Sequence, residues 1–101
     1  MNYHVLLTVD LNHVSGAQRE VFYEQMEAKN FIRTKLTTTW RASFNGSTTY
    51  DEALKICKNY INNSAKFAKI KDYEAALMLS PHDAIQWKEP MSALGAAAFY
   101  G

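Results

Sequence analysis

Asp10 is the residue whose position most clearly indicates chemistry. It stands near the carboxyl end of an alternating apolar segment, residues 3–11, just before a polar loop. A carboxylate in this position can bind a divalent cation or act as a base, and two copies of the chain could share one cation. We therefore take Asp10 as the candidate catalytic and metal-binding residue, with Mg²⁺ as its cofactor. The alternative is a structural aspartate that accepts hydrogen bonds from amides of the following turn.

Basic side chains form two groups that contain no acid. Residues 31–45 include Arg33, Lys35 and Arg41, and residues 53–71 include lysines at positions 55, 58, 66, 69 and 71. Local positive charge of this kind attracts phosphate, although lysines also keep exposed helix faces hydrated. The sequence pI of ≈ 7.9 is lower than the value of about 9 typical of dedicated nucleic-acid binders. The basic groups therefore give only a mild signal for a phosphate-bearing partner.

The remaining nucleophiles and metal ligands match no known catalytic pattern. His13 and His82 lack the spacing of a zinc site or a catalytic triad, and Ser43 and Ser80 lack the glycine-flanked turn of serine hydrolases. Neither a Walker loop nor a GxGxxG sequence occurs, which excludes the usual nucleotide-binding folds. Cys57 is the only cysteine, so an internal disulfide and a multi-cysteine zinc site are excluded. Its place in an apolar stripe predicts a small buried residue rather than a catalytic thiol.

Length and composition indicate one small globular domain. The chain has 101 residues, of which 48% are hydrophobic and 21% charged, with a formal net charge of +1. It has no apolar run long enough for a transmembrane helix and no secretory signal, so we expect a cytoplasmic protein without a membrane partner. We expect a single domain over residues 1–90, followed by an uncharged alanine-rich tail over residues 91–101.

The predicted elements alternate between strands and helices. Residues 3–11 predict a strand, and the capping box Ser15–Gln18 begins a helix that continues to about Lys29, with Asn30 as its stop. Residues 31–44 read as strand throughout but are too long for one, so we expect a turn within residues 37–39, with a single long, bulged strand as the alternative. A second capping box at Thr49–Glu52 begins a helix that ends at about residue 67 or 68. Residues 73–79 predict another strand, and residues 85–87 a short additional one.

This order of elements predicts an α+β fold of the ferredoxin-like type, βαββαβ, with both helices on one face of an antiparallel sheet. The other face is open to solvent or a partner. The residues expected to face the helices are Val5, Leu7, Val9, Ile32, Leu36, Trp40, Ala42, Phe44, Leu77 and Leu79. Those expected on the open face are His4, Leu6, Thr8, Asp10, Arg33, Lys35, Arg41, Ser43, Glu74 and Met78.

The expected open face combines cations, hydroxyls and a few apolar side chains. Cations and hydroxyls suit contact with phosphate, so we take Arg33, Lys35, Arg41 and Ser43 as candidate nucleic-acid contacts. The apolar side chains suit a homodimer in which two open faces pack together. Both uses of the face stay open at this point.

The segment His4-Val-Leu-Leu-Thr-Val-Asp10-Leu11, an apolar strand that ends in aspartate, resembles the small CRISPR-associated adaptation nucleases and the related GhoS-type antitoxin endoribonucleases. The resemblance covers residues 3–88 by element order. It implies a ferredoxin-like fold, a homodimer and cleavage of single-stranded RNA. Asp10 would match the aspartate that binds metal across the dimer, and the segment around residues 85–87 would match a terminal strand that pairs with the partner's sheet.

Three functions therefore remain as expectations. The first is an RNA-binding protein or endoribonuclease of the toxin–antitoxin or phage-defence type that acts on single-stranded RNA. The second is a non-catalytic inhibitor or adaptor of a mobile element that binds a protein partner. The third is a dimeric α+β-barrel protein that binds a small molecule between paired sheets, with Tyr3 and His4 in its pocket. Catalysis itself is left undecided by the residues.

Overall fold

Two helices and four strands form in the predicted order. The computed structural model describes residues 2–34, 36, 38–85 and 87. Its elements are β1 (Tyr3–Leu11), α1 (Gly16–Ala28), β2 (Ile32–Arg33), β3 (Thr39–Phe44), α2 (Tyr50–Phe67) and β4 (Tyr73–Ser80).

Both helices begin at the predicted caps. At α1, the Ser15 hydroxyl accepts a hydrogen bond from the Gln18 amide at 3.1 Å, and the Gln18 side chain accepts one from the Ser15 amide at 2.9 Å. The capping box is therefore complete. At α2, the Thr49 hydroxyl accepts from the Glu52 amide and donates to the Glu52 carboxylate. The second cap is confirmed. Here, however, the Glu52 carboxylate accepts from the Thr49 hydroxyl, whereas in a capping box it accepts from the amide of the N-cap residue.

Both helices also end in the same way. Asn30 and Lys69 adopt left-handed backbone conformations, with φ of 68° and 60°. After each of them, the amide of the next residue bonds back to the helix, from Phe31 to the Met26 carbonyl and from Ile70 to the Ala65 carbonyl. This is the Schellman motif, which places an apolar residue under the helix end. Phe31 and Ile70 are accordingly buried. The predicted stop at Asn30 is confirmed.

The sheet is antiparallel throughout, in the order β2-β3-β1-β4. The inward side chains of β1 pack against both helices, while its alternate side chains face the other way. This arrangement confirms the ferredoxin-like α+β fold. The buried hydrophobic core consists of Val5, Leu7, Val9, Phe22, Met26, Phe31, Trp40, Ala53, Cys57, Ile61, Ala65, Ala68, Ile70 and Leu79.

The predicted assignment of faces is wrong for the segment that precedes β3. Ile32 pairs with Arg41 and Arg33 pairs with Trp40. Directly opposed residues of an antiparallel pair share a face. Arg33 therefore lies on the helix side and Ile32 on the open side, the reverse of the prediction. The turn between β2 and β3 separates Arg33 from Trp40 by an odd number of positions, so counting alternation through the turn inverts every face in β2.

The turn itself lies earlier in the sequence than predicted. It follows Arg33, the last residue of β2, and ends before Thr39, which already belongs to β3. The Thr34 amide and hydroxyl both donate to the Thr39 carbonyl at 2.9 Å, and this closes the hairpin. Leu36, which was expected to face the helices, lies in this turn and is exposed. Lys35 and Thr37 are outside the described residues.

The described residues after β4, 81–85 and 87, form no strand. The tail over residues 91–101 lies outside the described part of the chain. Within residues 2–34, 36, 38–85 and 87, no helix has the length and apolar character needed to cross a membrane.

Candidate functional site

The open face is the side of the sheet that the helices do not cover. Strand pairing arranges its described side chains in four rows across the strands. The first row is Ser43, His4 and Ser80; the second is Ile32, Arg41, Leu6 and Met78; the third is Thr39, Thr8 and Ala76; the fourth is Asp10 and Glu74.

Three of the predicted site residues lie on this face but are not brought together. Asp10 is in the fourth row, whereas Arg41 is in the second and Ser43 in the first. At about 3.3 Å per residue, the second and fourth rows are about 13 Å apart along β1. No predicted phosphate contact on this face therefore lies in the row of Asp10.

Of the other two predicted contacts, Arg33 does not contribute to the open face. The guanidinium of Arg33 stacks on the ring of Tyr23 in α1, 4.6 Å from the ring centroid, on the helix side of the sheet. The prediction that Arg33 lies on the open face is wrong, for the register reason given above. Lys35 is outside the described residues. Among the described cations, the open face thus has Arg41 and, when protonated, His4.

Asp10 stands directly opposite Glu74, so the fourth row consists of two neighbouring carboxylates. Carboxylate oxygens are ligands that Mg²⁺ prefers. Among the described residues, however, no group of three or more His, Cys, Asp or Glu side chains is arranged to hold a metal ion. A magnesium ion at Asp10 stays a prediction.

The first row is tied to the segment that follows β4. The imidazole Nδ1 of His4 is 3.2 Å from the Ser43 hydroxyl and 3.9 Å from the Asp83 carboxylate. Asp83 also accepts a hydrogen bond from the Ala84 amide. These contacts hold residues 83–85 against the open face. Tyr3, by contrast, packs its ring against Tyr50 of α2, so it lies on the other side of the sheet from His4.

A shallow apolar groove of about 370 Å³ occupies the centre of the open face. Its lining includes Leu6, Ala76 and Met78 of the sheet, together with Leu36 and Ile85 from outside it. Met78 is 68% exposed and Leu36 63% exposed. The centre of the open face is therefore apolar, with charge confined to its ends and to Arg41.

The second basic group lies on the opposite side of the molecule, along the outer surface of α2. Its lysines on the helix are Lys55, Lys58 and Lys66, while Lys69 and Lys71 come after the end of α2. With Asn59 and Asn62 between them, the three helix lysines follow one another at helical spacing, and all five side chains are exposed. We call this surface, together with Phe67, the lysine face. Within the described residues, one ion pair forms, between His4 and Asp83, and none of these lysines takes part in an ion pair.

Phe67 ends α2 beside Lys66, and 66% of it is exposed. The sequence reasoning treated this residue only as a helix end. The available signal was its position outside the apolar stripe of α2, which runs through Ala53, Cys57, Ile61 and Ser64. At helical spacing Phe67 lies next to Asn63 and Ser64, at the border between the apolar stripe and the exposed surface of α2, and its exposed ring is open to a ligand.

Cys57 does not contribute a nucleophile. Its side chain is fully buried between α2 and the sheet, and burial raises the pKa of the thiol to about 11. The thiol is therefore protonated at neutral pH, as the sequence predicted for a structural cysteine.

No family model matches the sequence, and no curated protein matches it significantly. Among solved structures, the chain is similar to the crystal structure of protein SP2199 from Streptococcus pneumoniae. The two have a TM-score of 0.49 and 15% sequence identity, over 97% of this chain and 99% of that chain.

Proposed function

We propose that this protein binds single-stranded RNA through the lysine face of α2, without cutting it. The observation that carries the proposal is the row of exposed lysines and asparagines on α2, with no acid between Lys55 and Lys66, together with the exposed phenylalanine that follows Lys66. Such a surface offers the two interactions that single strands use, positive charge along the backbone and an aromatic platform for a base.

The lysines are available to a polyanion because none of them forms an ion pair within the described part of the protein, the nearest acids along the helix being Asp51 and Glu52 in its first turn. Lys55, Lys58 and Lys66 cover about 16 Å of the helix at 1.5 Å per residue. A strand lying along this surface would release counterions from each phosphate that it brings to a lysine, so affinity should fall as salt rises.

Phe67 and the asparagines favour an unpaired RNA strand in particular. A base stacked on an aromatic side chain contributes about 1–3 kcal/mol, but only unpaired bases expose their faces. The side-chain amides of Asn59 and Asn62 can donate to and accept from the ribose 2′-hydroxyl, which distinguishes RNA from DNA. The Tyr73 hydroxyl donates to Asn62 at 3.2 Å and orients its amide group.

Binding without cleavage follows from where Asp10 lies. It is on the open face, so the sheet separates it from a strand that lies along α2. The endoribonuclease activity implied by the resemblance would require RNA on the other side of the molecule, where Arg41 is the one described basic residue with a permanent charge.

The test is fluorescence anisotropy with a labelled, unstructured RNA of about 20 nucleotides and the DNA of the same sequence. The triple variant Lys55→Gln/Lys58→Gln/Lys66→Gln should weaken RNA binding more than tenfold at 50 mM salt. Because the slope of log affinity against log salt is about −0.7 per phosphate contact, the slope should become shallower by about 2. Phe67→Ala should weaken binding by about fivefold to a hundredfold, since that corresponds to one stacked base.

The matched control is Arg19→Gln/Arg33→Gln/Arg41→Gln, which removes the same charge from other surfaces. It should bind RNA as the parent does. If this control loses affinity and the lysine variant does not, the proposed surface is wrong. If the parent binds no RNA, or cuts it with Mg²⁺ in a way that Asp10→Asn abolishes, the proposed function itself is wrong.

A further inference from the structure

The open face exposes apolar side chains where a free sheet face normally carries polar ones. Leu6 and Met78 lie side by side in its second row, and Arg41 separates them from Ile32, which is 54% exposed at the edge of that row. Antiparallel sheets with one solvated face usually alternate apolar and polar residues, so that the outer face is polar. A contiguous apolar patch on such a face indicates that something covers it.

The order of side chains along the open face of β1 suggests what covers it. This order is His4, Leu6, Thr8 and Asp10: a basic group, a large apolar side chain, a small side chain and an acid. The paired positions on β4 follow the same scheme, because Met78 stands beside Leu6 and Ala76 beside Thr8. If a second β1 runs antiparallel over the first, an acid stands opposite the basic group and a small side chain stands opposite the large apolar one. Two copies of this strand are therefore complementary at every open-face position.

We propose that the open faces of two copies of this chain pack together about a twofold axis. The axis crosses β1 at right angles midway between Leu6 and Thr8, so that each β1 lies antiparallel over the other. Leu6 then packs on the partner's Thr8, and Met78 packs on the partner's Ala76. His4 meets the partner's Asp10 at both ends of the interface, as an isologous contact requires.

Large side chains thus fill the space above small ones, and an imidazole meets a carboxylate twice. Packed sheets stand about 10 Å apart, a gap that one large and one small side chain fill together. His4 already lies 3.9 Å from Asp83 of its own chain, so the partner's Asp10 would add a second carboxylate to the same imidazole. Leu36 and Ile85, beside the groove, would close around the partner's sheet.

The area of the open face limits the affinity that we expect for the dimer. The strands have nine, two, six and eight residues, so at about 3.3 Å by 4.8 Å per residue they give a face of roughly 400 Å². Two such faces bury on the order of 800 Å², below the limit of about 1,000 Å² for a stable specific interface. We therefore expect a weak, reversible dimer with a dissociation constant in the high micromolar range.

Light scattering after size exclusion, over a series of protein concentrations, should show a monomer that converts to a dimer. Leu6→Lys or Met78→Lys should remove the dimer, because either would bury a charge in the apolar centre of the interface. The matched control Phe67→Lys changes an equally exposed apolar residue on the opposite side of the molecule and should dimerise normally. Circular dichroism confirms that each variant is folded.

An exchange of the charges at His4 and Asp10 tests the proposed geometry of the dimer. Asp10→Lys alone should weaken the dimer, since each introduced lysine would face the partner's His4. His4→Glu alone should do so too, since each introduced glutamate would face the partner's Asp10. A mixture of the two variants should form a heterodimer, because the introduced lysine of one chain then meets the introduced glutamate of the other, and the second His4–Asp10 contact is native. Native mass spectrometry distinguishes the heterodimer by its mass.

Two results would overturn the proposal. One is a parent protein that stays monomeric at millimolar concentration, in which case no second copy covers the open face. The other is a dimer that tolerates both Leu6→Lys and Met78→Lys, which would place the interface elsewhere. Neither result bears on RNA binding, since none of these open-face variants alters the lysine face.

Discussion

Cys57 makes the stability of this protein sensitive to alkaline pH. Burial raises the pKa of its thiol from the ordinary value of 9.0 to about 11. Between these values the unfolded chain loses the thiol proton and the folded chain keeps it, so the free energy of unfolding falls as pH rises. We expect urea denaturation to show a smaller difference in stability between pH 8 and pH 10.5 for Cys57→Ala than for the parent.

Lysines and tyrosines also titrate in this range, but they are common to both proteins, so the difference isolates the thiol. Iodoacetamide offers a second measurement. At pH 8 it should alkylate the folded protein far more slowly than the urea-unfolded protein. Rapid alkylation of the folded protein would show that the thiol is accessible, contrary to its position in the core.

Single residues show where sequence reasoning about the site succeeds and where it fails. Asp10, Arg41 and Ser43 were placed on the correct face because β1 and β3 are each long enough for alternation to be read directly. Arg33 was misplaced because β2 has only two residues, too few to show a period of their own. Its face depends on how many residues the following turn takes up, and turn length is decided by hydrogen bonds such as those of Thr34.

At the scale of elements, Gln18 links the beginning of α1 to the end of α2. Its carbonyl oxygen completes the capping box, while its Nε2 donates to the Lys69 carbonyl at 2.9 Å and to the Ala68 carbonyl at 3.4 Å. One side chain thus accepts a hydrogen bond from the backbone amide that precedes α1 and donates to the backbone carbonyls that follow α2.

The variant Gln18→Glu separates these two roles. Glutamate completes a capping box as well as glutamine does, but it has no N–H group to donate to the carbonyls after α2. We expect Gln18→Glu to lower the free energy of unfolding by about 0.5–1.5 kcal/mol, as for the loss of a hydrogen bond to exposed or partly buried acceptors. Urea denaturation measures the change.

Ser15→Ala is the comparison, since it removes the cap alone and should cost about 0.5–2 kcal/mol. A Gln18→Glu variant as stable as the parent would show that the link between the helices contributes nothing. Such links are invisible in the sequence, because they join residues 51 positions apart. The caps, by contrast, were predictable because they involve residues only three positions apart.

At the scale of the whole molecule, charge and apolar surface are separated onto opposite sides. The sheet presents its apolar centre on one side, and α2 presents its lysines on the other. The sequence revealed the lysine-rich stretch, but not that it faces away from Arg41, since that depends on the packing of α2 against the sheet. If two open faces pack together, the lysine faces of both copies point outward, and one dimer offers two RNA-binding surfaces.

This separation predicts that the lysines of α2 contribute little to folding. Lys55 and Lys58 are like charges three positions apart, which destabilises a helix by about 0.2–0.5 kcal/mol. Lys66 lies in the last turn, where the helix dipole gives back a similar amount. We therefore expect Lys55→Gln/Lys58→Gln/Lys66→Gln to change the free energy of unfolding by less than about 1 kcal/mol, with a smaller change at high salt because these charges are exposed.

Urea denaturation at low and high salt measures this change, with Arg19→Gln/Arg33→Gln/Arg41→Gln as the reference. The reference variant should lose more stability, because Arg33 gives up its contact with the ring of Tyr23. A loss of more than about 1.5 kcal/mol in the lysine variant would mean that these side chains hold the fold together. Exposed lysines that the fold does not need are free to bind a partner that carries the opposite charge.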